Sequence, residues 1–287
     1  MSTNDYIMGR TTAETRRLEI QAELYAPHTD HLLRLAGLEA GMRVLDVGCG
    51  LGDVTLQAAR MVGPAGHVIG ADSDEDVLTV ARQRAKESRV ENVTFIQARI
   101  PAIPVDGLVE AVIGRLILMH LKDPAAEVRA LSALVRPGGI VSFQEVDVAY
   151  GTSTSWSAPL AAKCMKWCAD AAQVAGNPIR GGQLAQILQD AGLDVAGMAV
   201  ATPVAVSPDS PAHIHLAATV ASLLPLIVAH DLATEAEVDI NTLVSRLRAE
   251  GRETGSTLYP PELMGAWARK GTKRLSRSAW TRSPKRA

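Results

Sequence analysis

The sequence predicts an α/β fold built on a mostly parallel sheet, and three observations carry that prediction. The apolar run Val44-Leu45-Asp46-Val47 leads straight into Gly48-Cys49-Gly50-Leu51-Gly52-Asp53, so a strand, a tight turn and a helix start adjoin. Between residues 42 and 147, alternating apolar stretches take turns with helix-like ones, the rhythm of βαβ units and a parallel sheet. A second strand-like run ends in Gly70-Ala71-Asp72-Ser73, placing an acid about 20 residues beyond the glycine turn.

Taken in order, residues 1–20 read as a polar arm that becomes helical. Leu18, Leu24, Leu32, Leu33 and Leu35 continue the helix over 18–36, with a break expected near Pro27. Strands follow at 42–47, 66–71, 92–97, 109–114 and 139–147, with helices at 52–62, 74–88 and 124–136 between them. Pro137-Gly138-Gly139 punctuates the entry to the fifth strand. Beyond it the rhythm changes. Helices are expected at Trp156–Ala175, Gly181–Ala191, 210–230 and 234–250, and strands at Val195–Val206 and Glu262–Ala268. No linker or repeat divides the chain. The division expected is a helical cap over 1–36, a catalytic domain over 37–270 carrying a helical insertion at about 207–252, and a basic tail over 271–287.

The glycine spacing constrains the ligand. A dinucleotide turn reads G-x-G-x-x-G and sets a pyrophosphate on the helix N-terminus. Here the third glycine comes one residue early, and Asp53 stands where the last glycine would be. A carboxylate there opposes a pyrophosphate and suits a cationic ligand, and Asp46 adds a second acid beside the turn. A sulfonium-bearing ligand fits that charge pattern better than NAD. Asp72 could accept hydrogen bonds from both hydroxyls of an adenosine ribose. Asp72, Ser73 or Asp74 could equally cap the helix that follows, and the roles are compatible if Asp74 caps while Asp72 binds.

VLDVGCGLGD, GADSD, GRLILMHLKDP and VRPGGIVSFQE together resemble the class I S-adenosylmethionine-dependent methyltransferases of the bacterial small-molecule type, over roughly residues 6–148. The resemblance implies a Rossmann-like, seven-stranded, mostly parallel sheet with helices on both faces, and S-adenosyl-L-methionine as cofactor. It implies that Gly48, Cys49, Gly50 and Gly52 pack against the methionine part of the cofactor. Asp72 would hold the ribose, Ser73 would lie near the adenine, and the backbone of Gly114-Arg115 near the cofactor's amino group. One departure stands out. An acid often faces the adenine amino group after the third strand, whereas Gln97-Ala98-Arg99 offers Arg99, which cannot accept a hydrogen bond. Adenine recognition then falls to backbone around Ala98, with Arg99 either stacking on the ring or solvated.

Two residues are candidates for chemistry. His120 could take a proton from an acceptor hydroxyl, since an unperturbed imidazole titrates near neutral pH; it could also be structural. Glu145, ending the fifth strand, could bind or deprotonate the acceptor, or pair with Arg115. Arg115 could itself serve the substrate or pair with Glu110 or Glu145. Tyr6, in an arm with Gly9, Arg10, Glu14, Arg17 and Gln21 that resembles a cofactor cap, could reach the cofactor's carboxylate end. Glu14–Arg17 could alternatively be a plain helix pair worth a few tenths of a kcal/mol.

Composition narrows the remaining classes. The chain has 287 residues, 47% hydrophobic but only 3% aromatic, so its core must be largely aliphatic. Cys49, Cys164 and Cys168 are too few for a disulfide framework and fit a reducing, cytoplasmic setting. Cys164 and Cys168 read as small residues on a packed helix face. His213-x-His215 lacks a third ligand, and His213, His215 and His230 read as pocket-wall or surface residues, so no metal is expected. The apolar stretch 216–229 is interrupted by Pro225 and falls short of the ~20 residues a bilayer span requires, so no membrane partner is expected. Eight Lys and Arg with no acid lie in 269–287, a segment able to hold phosphate non-specifically. Against a nucleic-acid substrate, no Pro-Cys occurs and no Asn/Asp-Pro-Pro-aromatic motif follows the fourth strand. The expectation is methyl transfer to an oxygen or nitrogen of a small molecule, with a homodimer compatible. The alternatives are a protein of this fold that binds the cofactor for another reaction, and an NAD-dependent oxidoreductase.

Overall fold

The computed structural model describes residues 12–147, 158–176 and 181–271. Its elements run α1 (Thr12–Ala36), β1 (Arg43–Val47), α2 (Asp53–Val62), β2 (His67–Asp72), α3 (Glu75–Glu87), β3 (Val93–Gln97), β4 (Val109–Arg115), α4 (Pro124–Ser132), β5 (Val135–Asp147), α5 (Pro159–Val174), α6 (Leu184–Asp190), β6 (Asp194–Ala201), α7 (Pro211–Ala229), α8 (Glu235–Val238), α9 (Ile240–Thr254) and β7 (Glu262–Arg269). The strands form one sheet in the order β3-β2-β1-β4-β5-β7-β6, with β7 alone antiparallel to both its neighbours. β1 lies at the point where the order reverses, so the loops after β1 and β4 border the crevice in which such sheets bind ligands.

Aliphatic side chains fill both faces of the sheet. Leu45, Val47, Val112 and Val141 pack with Leu131, Leu184 and Leu188 of α4 and α6 on one side. Val44, Ala111, Ile113 and Ile140 pack with Leu33, Ala58 and Val62 of α1 and α2 on the other. A third cluster lies outside the sheet, where α5, α7 and α9 pack through Met165, Trp167, Leu216, Val220, Leu243 and Leu247. Cys164 and Cys168 are buried in it, and burial pushes both thiols up to about 12. They are packing residues.

Three expectations change in detail. α1 is continuous through Pro27. Pro27 removes one backbone bond, but Tyr25, Leu32 and Leu33 are each almost wholly buried, and that packing holds the helix together. β6 stops at Ala201, because Pro203 has no N–H to give the ladder. α7 lies within the helix expected over 210–230 but runs unbroken through Pro225, and with 19 residues it could by length and composition alone cross a membrane. In this fold its residues Leu216, Val220, Leu223 and Ile227 are buried against neighbouring helices.

Candidate active site

The glycine turn after β1 is tied to β2 by backbone bonds. Gly48 and Cys49 both donate to Ala71 O (2.8 and 3.0 Å), Gly50 donates to Asp72 Oδ2 (2.9 Å), and Gly52 donates to Cys49 O (2.9 Å). These amides are therefore spent inside the protein, so the turn has little to offer a pyrophosphate. All three glycines have positive φ. Their surroundings differ. A Cβ on Gly48 would lie 2.4 Å from Ile117 Cδ1, and one on Gly52 would press on Ala81 and Phe95 at 3.1 and 3.2 Å. A Cβ on Gly50 would meet nothing within 4 Å. Gly48 and Gly52 serve packing, while Gly50 leaves an open cradle above the turn.

The acids sort by depth. Asp72 accepts Gly50 N–H through one oxygen and Asp74 N–H (3.1 Å) through the other. A carboxylate has about four acceptor sites, so it can still receive ribose hydroxyls. Asp74 caps α3, accepting Asp76 N–H at 2.9 Å, so the cap of that helix does not fall to Asp72. Asp46 is only 1% exposed; it accepts the Thr55 hydroxyl at 2.6 Å beneath the turn, and burial raises its pKa to about 7. Asp46 therefore supports the turn from below and does not face a ligand. Asp53 pairs with Arg84 at 2.5 Å, so its charge is already answered. The expectation that these two acids meet a cation directly is corrected on both counts.

On the adenine side, Ser73 and Arg99 are exposed at the ends of β2 and β3. Ala98 N–H donates to Asp72 O at 2.8 Å, one of the backbone groups around that residue. Cys49 is buried, and its thiol is pushed well up by burial and the neighbouring carboxylates of Asp46 and Asp72. Tyr6 lies outside the described residues, as do Gly9, Arg10 and almost all of the basic tail.

At the end of β4, the Cβ direction of Gly114 is filled by Phe143 and Ile117 (2.9 and 3.0 Å). Arg115 donates to Thr29 Oγ1 of α1 at 3.0 Å. Glu110 instead pairs with Arg136 at 3.2 Å and accepts Arg43 N–H at 2.9 Å, so it is not the partner expected for Arg115. Glu145 is buried and accepts Leu118 N–H at 2.6 Å, holding the 3-10 turn Leu118–His120. His120 rides on that turn. Burial, and then the positive charge of Arg17, lower its pKa to about 4. The unperturbed imidazole expected from the sequence is replaced by a neutral, weakly basic one.

The largest addition to the sequence reading is a buried polar seam between α1 and α7. Arg17 grips Glu14 with Nε (2.8 Å) and Nη2 (2.6 Å) and donates from Nη1 to Gln21 Oε1 (2.8 Å). Ser222 donates to Glu14 Oε2 at 3.0 Å, and His215 Nε2 lies 3.3 Å from Gln21 Oε1. Burial and Arg17 hold His215 neutral, with a pKa near 3. Glu14 and Arg17 are 2% and 4% exposed, so this is no surface helix pair, and the residues face α7 rather than the glycine turn. Polar Ser222 and His215 inside an apolar helix were the sequence signal for the seam. Gln144 and Thr29 were also missed; polar Ser142 and Gln144 at alternate positions of an otherwise buried strand were the clue.

A strand order of 3-2-1-4-5-7-6, a glycine turn with an open cradle and an acid ending β2 define the class I methyltransferase architecture. A methyltransferase-domain family model matches residues 38–192, and the chain belongs to that family. The family is one of methyltransferase domains, and the cradle at Gly50 with the spare acceptor sites of Asp72 fits S-adenosylmethionine as its cofactor. Among curated relatives, the ubiquinone/menaquinone biosynthesis C-methyltransferase of Shewanella sp. is 32% identical over 111 residues, 38% of this chain and 44% of that protein. The ubiquinone biosynthesis O-methyltransferase of Acinetobacter baylyi is 36% identical over 119 residues, 39% and 47%. The matches thus span less than half the length of these relatives. Among solved structures, the phosphoethanolamine N-methyltransferase 2 of Haemonchus contortus, bound to phosphomonomethylethanolamine and S-adenosylhomocysteine, has a TM-score of 0.57 at 17% identity, covering 95% of this chain and 61% of that one. That likeness is one of fold.

Proposed function

We propose that this enzyme methylates an oxygen or nitrogen of a small-molecule acceptor lodged between the glycine-turn edge of the sheet and the α1–α7 seam. The observation that supports this reading is the buried polar seam itself, whose Arg17 lies close enough to His120 to lower its pKa. Buried polar groups tie an acceptor down more selectively than apolar walls do. In this reading α1 with the residues before it is the cap, and the insertion at 207–252 covers the substrate. The setting is cytoplasmic, nucleic acid is not the acceptor, and a homodimer is compatible.

The bound cofactor supplies an electrophilic methyl group on a sulfonium. Asp72 accepts the ribose hydroxyls, Ser73 and Arg99 border the adenine, and Gly48, Cys49, Gly50 and Gly52 shape the turn beneath the methionine part. Gly114 and Arg115 sit at its amino-acid end. His120, neutral at physiological pH, accepts a hydrogen bond from the acceptor and aims its lone pair at the methyl, so rate comes chiefly from alignment in a dry pocket. A hydroxyl that gains a methyl becomes a strongly acidic oxonium, and even an imidazole of pKa about 4 can then take its proton. A neutral amine needs no base for the transfer. Glu145 acts through the Leu118–His120 turn, as a positioning residue. The relatives' names divide between C- and O-methylation; the hydrogen-bonding seam favours a heteroatom acceptor.

The test is methyl transfer from methyl-labelled S-adenosylmethionine into an extract of the source cells, fractionated by size. Label in small molecules is expected. Label confined to RNA or protein would overturn the acceptor class.

A further inference from the structure

Arg115 and Gln144 are register partners across the parallel β4–β5 pair. Their side chains lie on the same face of the sheet, one strand spacing or about 4.8 Å apart. Both reach Thr29 of α1: Arg115 donates to its hydroxyl at 3.0 Å, and Gln144 Nε2 donates to its carbonyl at 3.5 Å. Each is left partly unsatisfied. Gln144 is 2% exposed, and its Oε1 is buried with no hydrogen-bond partner. Arg115 pairs with no carboxylate among the described residues, and its only hydrogen bond there uses one of five N–H donors. Burial pulls its pKa down, opposed by the charges of Asp53 and Asp46. Arg115 also lines a cavity of about 520 Å³ between α1, α2 and the end of α3, shared with Asp53, Leu56 and Arg84.

A half-buried cation with donors to spare thus stands beside a buried acceptor with none. The complement of that pair is an α-amino acid zwitterion, whose carboxylate meets the guanidinium in a charge-assisted, bidentate bond and whose ammonium meets the amide oxygen. An orphaned buried acceptor is costly and is rare in finished proteins, and a ligand N–H removes the cost. We propose that Gln144 Oε1 receives the ammonium, and the Arg115 side chain the carboxylate, of the methionine head of S-adenosylmethionine. This rests on the cofactor lying over the glycine turn, and it adds a side-chain site on β5 to the backbone contact expected near Gly114.

Two nucleosides separate the possibilities by calorimetric titration: S-adenosylhomocysteine, which keeps the amino-acid head, and 5′-methylthioadenosine, which lacks it. Gln144→Met keeps the side chain's length and removes the acceptor. It is expected to weaken S-adenosylhomocysteine about tenfold and leave methylthioadenosine unchanged. Equal affinities in wild type and variant, or an equal loss for both nucleosides, would overturn the proposal. Gln144→Glu keeps an acceptor, and is expected to preserve the preference for S-adenosylhomocysteine; loss of that preference would also overturn it, whether or not Gln144→Met folds. If the wild type binds neither nucleoside, the placement of the cofactor itself fails. As a control, Asp72→Ala should weaken both nucleosides by the same factor.

Discussion

The glycine-turn edge of β1 and β2 and the α1–α7 seam are both polar sites in an aliphatic protein, but they are made differently. The edge is built from backbone: turn amides bonded to Ala71 O and Asp72, and three glycines at positive φ within five residues. The seam is built from side chains that lie some 200 residues apart, Glu14 against Ser222 and Gln21 against His215. A cofactor common to a family can be held by a local backbone device. An acceptor particular to one enzyme calls for side chains that can change while the backbone stays put.

The largest expected effect breaks the seam. Glu14→Leu leaves the Arg17 guanidinium buried without its bidentate partner, and removing one member of a buried pair costs about 3–5 kcal/mol. Urea unfolding should show a loss of that order. A loss below about 1 kcal/mol would mean that the pair opens to solvent and that the seam is not a buried site. Replacing both partners with apolar residues should recover much of the stability but not turnover.

The turn can be broken in two separable ways. Gly48→Ala forces a methyl onto Ile117 and holds alanine at φ 68, so about 2–4 kcal/mol of stability should be lost. Gly50→Ala meets open space and should cost only about 1–2 kcal/mol of backbone strain, yet its methyl stands in the cradle and should abolish tight cofactor binding. Denaturant midpoints and S-adenosylhomocysteine titrations on the two variants give a crossed pattern, stability lost more in one and affinity in the other. Parallel losses would show that Gly50 does not face the ligand. A smaller effect comes from Asp72→Ala, which should weaken nucleoside binding by about 1–3 kcal/mol, the usual cost of unpairing buried polar groups.

The same contrast explains what could be read from the chain. The order and nearly all bounds of β1–β5 follow from alternation and glycine punctuation, because a parallel strand and its turn are local statements. The cap at Asp74 could be read for the same reason. Depth was not legible. Asp46 looked like a ligand-facing acid and is buried under the turn, because only the packing of Thr55 from α2 shows which way it points. His120 looked like an unperturbed imidazole; burial, and then the charge of Arg17 a hundred residues away, lowers its pKa to about 4. Glu145, read as a group to bind or deprotonate the acceptor or to pair with Arg115, accepts a backbone N–H. Each correction concerns an environment assembled by tertiary contact, while the residue type was read correctly.

The smallest effect sharpens the comparison by pH. Asp46 has its pKa raised from near 4 to about 7 because burial disfavours its charged form more than Thr55 and Arg115 favour it. The folded protein therefore holds a proton that the unfolded chain releases, and this contribution to stability is present in full below about pH 4. It declines as pH rises toward 7, with a slope of at most about 1.4 kcal/mol per pH unit. Asp46→Asn keeps the hydrogen bond from Thr55 and cannot titrate, so its unfolding free energy should be flatter than wild type between pH 4 and 7. His120 gives the opposite sign. Its pKa is depressed to about 4, so the unfolded chain takes up a proton first and stability falls as pH drops through about 6.5 toward 4. Comparing His120→Gln with Asp46→Asn over the same range should separate the two slopes, the first variant losing the acid decline and the second losing the alkaline one. If both variants keep the wild-type profile, neither group is as deeply buried as the fold places it, and the assignment of one to the turn's foundation and the other to the acceptor's edge fails with them.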